Sequence, residues 1–302
     1  MNIAATKNDI PRTPTGDPYG WIDFSQLHEL WIHTGTACNL RCPTCFEQAG
    51  PANVRLQAPE LEDMAIHADA ACHKGIRQFG VTGGEPFLHK DILNILAYLS
   101  ERAPCLVLSN GTEPLRNHIA ALRRLKNAGT TLHFRISLDY ADKDRHEANR
   151  GKGMFSLALD SIRTLLDSGF QVSVARRQEK DEDAAEALAT FQKLFLQSSL
   201  PEDLPLTAFP DLQREDVPHI TENCISTYHN AESCAEFMCA YSRMLAKQNN
   251  RMGFYACTLV DDDQDFNYGQ ELEAAVARRT YLTHKRCFAC FAGGVACGKT
   301  QK

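Results

Sequence analysis

The chain has 302 residues, 43% of them hydrophobic, with a formal net charge of −6. That is enough to bury a full core as one large domain or one and a half, and it offers no general attraction for nucleic acid or for an anionic membrane. No stretch approaches the roughly 20 apolar residues that span a bilayer. The polar first twenty residues lack the apolar core of a signal peptide, which predicts a cytoplasmic protein.

Residues 1–27 read as an N-terminal arm, loose or lying across the surface. From about 28 to 210, short apolar or β-branched runs alternate with helical patterns. Strands are predicted at Glu29–His33, Gln78–Val81, Cys105–Leu108, Leu132–Leu138, Gln171–Ala175 and Pro205–Phe209. The helices between them are Leu61–Lys74, Ile92–Arg102, Pro114–Asn127, Phe155–Ser168 and Asp183–Leu196. Gly129 and Gly169 follow two of these helices, where a left-handed terminal residue is wanted. Six such βα units make an α/β protein with a parallel sheet, open or curled into part of a barrel. Over 211–302 the rhythm breaks, with one helix at Gln270–Arg279 and a hairpin turning near Asn249–Gly253. This region is too poor in apolar runs to build a large core and reads as an extension stapled by metal.

The twelve cysteines are unevenly placed, and in a reducing compartment they indicate metal rather than disulfides. Cys38, Cys42 and Cys45 form Cys-x3-Cys-x2-Cys directly after the first strand. Three thiolates this close can hold three irons of a cubane and leave the fourth open; a zinc knuckle or a dithiol with a spare cysteine is the alternative. Gly83-Gly84-Glu85-Pro86 follows the second strand, where paired glycines let a ligand lie against backbone, although the same four residues also make a turn. Ser109-Asn110-Gly111-Thr112 follows the third strand, and Ser137-Leu138-Asp139 ends the fourth. In a parallel barrel these strand ends share one face, and that face holds the site.

Together these motifs resemble the radical S-adenosylmethionine superfamily, over roughly residues 28 to 300. The resemblance implies a partial (β/α)6 TIM-like barrel in which Cys38, Cys42 and Cys45 ligate a [4Fe–4S] cluster. The open iron would be chelated by S-adenosylmethionine. It further implies that Gly83, Gly84, Glu85 and Pro86 receive the methionyl amino group. Asn110, Ser137 and Asp139 match positions contacting ribose or the methionyl part, and Arg150, in His146-Glu-Ala-Asn-Arg150-Gly, approaches the carboxylate. One departure is Thr44, where the family often has an aromatic residue; Phe46 stands nearby. The implied chemistry is reductive cleavage of the cosubstrate and hydrogen abstraction by a 5′-deoxyadenosyl radical, with a flavodoxin- or ferredoxin-type reductant.

In the tail, Cys239 and Cys257 bracket the hairpin, and Cys287-Phe-Ala-Cys290 follows. By spacing alone this is a second cluster or a zinc ribbon. The tail is similar to the auxiliary-cluster extensions called twitch and SPASM, which implies Cys239, Cys257, Cys287 and Cys290 as ligands of an auxiliary [4Fe–4S] cluster. Cys234 and Cys297 also resemble SPASM positions, and Cys224 has no assigned role. Cys72 and Cys105 read as core. The acidic run Asp261–Asp263 reads as a solvated loop, or as a group facing the barrel mouth, and His33 and His89 receive no role. The functional expectation is an oxidoreductase or maturase acting on a peptide or small molecule. A non-catalytic iron–sulfur electron carrier and a zinc-stabilised binding module are the alternatives.

Overall fold

The computed structural model describes residues 10–293; Cys297 and the first nine residues of the arm lie outside them. An eight-stranded sheet forms the centre, ordered β7-β6-β5-β4-β3-β2-β8-β9. Its strands are β2 (Glu29–His33), β3 (Gln78–Thr82), β4 (Cys105–Ser109), β5 (Leu132–Ser137), β6 (Gln171–Arg177), β7 (Leu206–Phe209), β8 (Ser242–Gln248) and β9 (Arg251–Tyr255). The six predicted strands are all present and pair in parallel, each with the next.

Every residue of β2 is buried, as expected where one face looks into the barrel and the other is covered by helices. Trp31 fills the interior beside β3. A Cβ on Gly80 would lie 2.3 Å from the Trp31 ring, so only glycine lets the indole rest on that strand. The covering helices are α1 (Leu61–His73), α2 (Ile92–Ser100), α3 (Glu113–Arg116), α4 (Ile119–Asn127), α5 (Lys143–Arg150), α6 (Met154–Asp167) and α7 (Ala184–Gln197). Gly129 and Gly169 take φ of 94° and 77° after α4 and α6, as their sequence context predicts.

Besides four short tail helices that were not predicted, Glu222–Tyr228, Ala231–Ala235, Met238–Tyr241 and Cys287–Gly293, three elements differ from expectation. The predicted Pro114–Asn127 helix is broken into α3 and α4, and the His118 ring caps the break by bonding the Pro114 carbonyl. Helix α5 is so polar that its periodicity is silent, but its Asp142 N-cap accepts from the Arg145 amide. The predicted Gln270–Arg279 helix shrinks to Leu272–Val276, because the Arg243 guanidinium takes the Ala275 and Arg278 carbonyls.

The hairpin turns where predicted. Asn249 and Asn250 have φ of 51° and 60°, the double positive φ of a two-residue turn matched to strand twist. Its first strand, β8, lies parallel beside β2, so the tail extends the barrel sheet itself. Strand β1 (Trp21–Ile22) pairs with β10 (Thr280–Tyr281). The arm over 10–27 lies across the surface, held by bonds such as Gly20 N–H to the Ile220 carbonyl and Ser25 N–H to that of Ala240. Among the described residues no helix is long and apolar enough to cross a membrane.

Candidate metal and cosubstrate site

A cavity of about 230 Å³ opens at the C-terminal ends of the strands, and Thr82, Leu108, Ser137, Ala175 and Phe209 line it from five successive strands. Cys38, Cys42 and Cys45 enter it from the loop after β2, with Gly83, Gly84, Asn110, Asp139 and Arg150 around them.

The cysteine loop is held by its backbone. Cys38 N–H donates to the Gly50 carbonyl at 3.2 Å and Cys45 N–H to that of Cys42 at 3.1 Å. The Cys38 thiol accepts from the Leu40 amide at 3.4 Å and from Asn110 Nδ2 at 3.8 Å. Burial raises the Cys38 thiol to about 11 and also raises Cys42. Such thiols lose their protons on meeting a metal. Three converging soft donors suit an iron cluster with one iron left open.

The Gly83–Pro86 segment docks against that loop. Gly84 N–H donates to the Gly35 carbonyl at 2.9 Å and Glu85 N–H to the Ala37 carbonyl at 3.0 Å. Cβ atoms on Gly83 and Gly84 would lie 2.4 Å from Thr34 Oγ1 and 2.2 Å from the Ala37 oxygen, respectively. Glu85 is fully buried, and its carboxylate accepts from Ser109 Oγ (3.0 Å), Asn110 N–H (2.8 Å) and Phe87 N–H (3.1 Å). It therefore clamps the ends of β3 and β4 together. Burial pushes its carboxyl up to about 7 against these bonds. Asn110 is similarly committed, with Nδ2 to Asn39 Oδ1 and Oδ1 accepting from the Thr112 amide and hydroxyl.

Asp139 and Arg150 form a two-bond pair, Nε to Oδ2 and Nη2 to Oδ1, both 2.8 Å. Asn149 Nδ2 adds 2.5 Å to Oδ2, and Asn149 Oδ1 accepts from Thr44 Oγ1 at 2.7 Å. Burial alone would raise Asp139, but Arg150 and Asn149 overcome it and hold the carboxyl below its usual value. The chain Thr44–Asn149–Asp139–Arg150 thus links the third-cysteine segment to helix α5. Thr44 and Phe46 both line the cavity.

Several lining residues gave no sequence signal: Trp31, Glu47, Arg176, Arg177, Leu212 and Thr258. Behind Glu47, Arg55 Nη2 donates to Glu47 Oε2 at 2.8 Å and to Asp261 Oδ2 at 2.5 Å. His33 Nε2 lies 3.4 Å from Glu47. His33 Nδ1 accepts from the Gly35 amide, which leaves the ring proton on Nε2, facing Glu47. The Arg55 guanidinium thus bridges both carboxylates, and the group carries its own cation. Of its carboxyls Asp261 is pushed up to about 7, by burial and by Glu47.

Within the acidic run Asp262 is exposed as a solvated loop predicts, but Asp261 is not. Asp261 is 1% exposed, Asp262 pairs with both terminal nitrogens of Arg286, and Asp263 caps the Gln264–Phe266 turn. His89 is structural, bonding the Pro59 carbonyl and the Asp91 amide. Cys105 is buried in the core and Cys72 packs against it.

A second, smaller and apolar cavity lies in the tail. Cys239, Cys257, Cys287 and Cys290 all line it, with Phe237, Met238 and Arg286. Cys239 precedes β8, Cys257 follows β9, and Cys287 and Cys290 lie one turn apart on the helix Cys287–Gly293. Burial raises the Cys239 thiol to about 11 and raises Cys287 further. Cys234 is adjacent enough to act on the charge of Cys239. The Cys224 amide and thiol both face the Thr221 hydroxyl.

A parallel partial barrel with three thiols and a Gly-Gly loop at its strand ends defines an enzyme class. Residues 32–190, just over half of the chain, match the family described as the Radical SAM superfamily. The chain belongs to that superfamily, whose chemistry rests on a [4Fe–4S] cluster and S-adenosylmethionine.

Among curated relatives, GTP 3′,8-cyclase 2 of Pseudomonas aeruginosa is 28% identical over 206 residues, 66% of this chain and 60% of that protein. The antilisterial bacteriocin subtilosin biosynthesis protein AlbA of Bacillus subtilis is 31% identical over 140 residues, 46% of this chain and 30% of AlbA. The chain therefore spans less than two thirds of either relative. Streptococcus suis SuiB bound to S-adenosylmethionine shares the fold, with TM-score 0.61 and 13% identity over 81% of this chain and 63% of SuiB. The enzyme anSMEcpe with bound AdoMet does so with TM-score 0.57 and 14% identity, over 87% and 77% of the two chains.

Proposed function

We propose that the protein reductively cleaves S-adenosylmethionine at Cys38, Cys42 and Cys45 and takes a hydrogen atom from a peptide segment or small molecule in the same cavity. The supporting observation is the convergence of those thiols, Gly83–Gly84 and the Asp139–Arg150 pair on one cavity. A cluster held by the three thiols would supply the electron that breaks the sulfonium C–S bond, giving a 5′-deoxyadenosyl radical.

The chain's own residues orient and enclose. Arg150, fixed on one edge by Asp139, keeps a terminal nitrogen for the cosubstrate carboxylate. Gly83 and Gly84 offer backbone polar groups to its amino end. Glu85 and Asn110 act through the loop, fixing where Cys38 sits. Trp31, Phe209 and Leu212 exclude water, which a carbon radical requires. In the tail Cys239, Cys257, Cys287 and Cys290 would hold an auxiliary [4Fe–4S] cluster. Four protein thiolates leave no open iron, which suits electron transfer and an oxidative outcome, with a flavodoxin- or ferredoxin-type reductant.

Anaerobic incubation with dithionite and S-adenosylmethionine, followed by chromatography, should reveal slow formation of 5′-deoxyadenosine. Replacement of Cys38, Cys42 and Cys45 by Ala should abolish it; equal cleavage by the triple variant refutes the proposal. Iron without cleavage in the native chain would instead identify an electron carrier, and near-stoichiometric zinc with little iron a binding module.

A further inference from the structure

Arg243, at the start of β8, is among the largest fully buried side chains of the protein. Its Nη1 donates to the Cys239 and Ser242 carbonyls at 2.8 Å, its Nε to Ala275 at 3.1 Å and its Nη2 to Arg278 at 2.8 Å. Its carbon centre lies 4.1 Å from the Phe24 ring centroid and 5.2 Å from that of Tyr268. None of these partners carries a formal charge. Among the described residues no carboxylate forms an ion pair with it. Arg286, which lines the cavity with the same thiols, differs: Asp262 meets its guanidinium with two bonds of 2.8 and 2.5 Å.

A buried cation without a counter-ion is costly enough that proteins pair it or coordinate it. Arg243 holds the backbone carbonyl of Cys239 itself at 2.8 Å, and the nearby groups whose negative charge would favour its own are the Cys239 and Cys257 thiols and the Tyr268 phenol. Those two thiols line the tail cavity with Cys287 and Cys290.

We propose that Arg243 is the built-in counter-ion of an anionic four-thiolate centre on Cys239, Cys257, Cys287 and Cys290, and that it eases that centre's uptake of an electron. This rests on the auxiliary-site reading above. Four thiolates around an oxidised cubane leave a net charge of −2, and accepting one electron makes it −3 with no bond broken. A fixed positive charge in a medium of low polarisability favours each step toward the more negative form. The neutral carbonyl acceptors and the two rings hold the guanidinium still, so its field does not relax when the centre is reduced.

The test uses the full chain with Cys38, Cys42 and Cys45 replaced by Ala, so that only the tail loads. Iron, sulfide and zinc are counted, melting temperature is compared with and without metal, and the midpoint potential is read by spin resonance during dithionite titration. The parent should carry about four irons and gain stability on loading. Arg243→Gln should shrink that gain and move the potential negative, Arg243→Lys should restore most of both, and the charge-neutral double change Asp262→Asn with Arg286→Gln should move the potential least. An unchanged gain and potential in Arg243→Gln overturns the proposal.

A parent that binds no metal refutes the auxiliary reading and the proposal with it. A zinc-only parent refutes the cluster, while the stability gain still decides the counter-ion role. If Arg243→Gln does not fold, Arg243→Lys decides. It keeps the charge but not the fork, so retained loading supports compensation and lost loading refutes it.

Discussion

Gly84→Ala isolates the contact that sets the cysteine loop against the sheet. The added Cβ would meet the Ala37 oxygen at 2.2 Å, its carbonyl carbon at 2.6 Å and the Thr36 oxygen at 2.8 Å. All three are backbone atoms, so no side chain can swing away. Restoring ordinary contact requires the segment before Cys38 to retreat by about 1 Å, given optimal heavy-atom separations near 3.5 Å. That retreat strains or breaks the bonds from the Gly84 and Glu85 amides to the Gly35 and Ala37 carbonyls. Overpacking together with the two hydrogen bonds sums to about 3 kcal/mol, or roughly 6 °C in a melt of a chain this size. A misplacement near 1 Å at reacting groups costs on the order of 10²-fold in rate. The assay is 5′-deoxyadenosine formed per iron by the reconstituted protein, beside its melting curve. Gly129→Ala is the control, since that glycine has φ of 94° and no heavy atom within 4 Å of the added carbon; it should cost stability without slowing cleavage. If Gly84→Ala melts and cleaves like the parent, the loop does not depend on this contact and the reasoning fails.

Two further outcomes follow from the same geometry. Asp139→Asn should weaken S-adenosylmethionine binding by about tenfold or more, near 1.4 kcal/mol, because Arg150 loses its charged anchor; equilibrium dialysis showing an unchanged Kd would remove Asp139 from the positioning role. His146 is buried, its Nδ1 accepts from the Asp139 amide, and burial lowers its pKa to about 4. The unfolded chain therefore binds its proton first. The neutral ring's stabilisation is complete above about 6.5 and is lost as pH falls toward 4, with a magnitude of roughly 3 kcal/mol. His146→Asn should flatten that part of a denaturant-measured stability profile, and an identical slope in the variant would show that the ring does not titrate there.

Much of the barrel was legible in the sequence because parallel strands buried on both faces read as apolar runs, and the motifs fall where those runs end. Glu29–His33 is such a run, and the cysteines follow it at once. Helix α5 was illegible for the opposite reason: Lys-Asp-Arg-His-Glu-Ala-Asn-Arg has no apolar stripe, and its only buried residue is His146. The Gln270–Arg279 pattern promised more helix than forms, since a distant arginine competes for its carbonyls. The acidic run deceived through composition. Its partners, Arg55 and Arg286, lie far away in sequence or across the tail, and nothing local announces them. Glu47 has the same problem, since its environment is assembled from residues 33, 55 and 261.

The placement of β8 beside β2 has a consequence for how the chain is made. β2 leaves the ribosome well before one of its two pairing partners, which begins only at Ser242. At about 5–20 residues per second, that edge waits on the order of ten seconds or more during synthesis. Until then it presents a row of unpaired amides on an apolar strand, the kind of surface on which nascent chains stick to one another. The protein should therefore lean on trigger-type holdases or slow-growth expression, and its yield should respond to both before any iron is supplied.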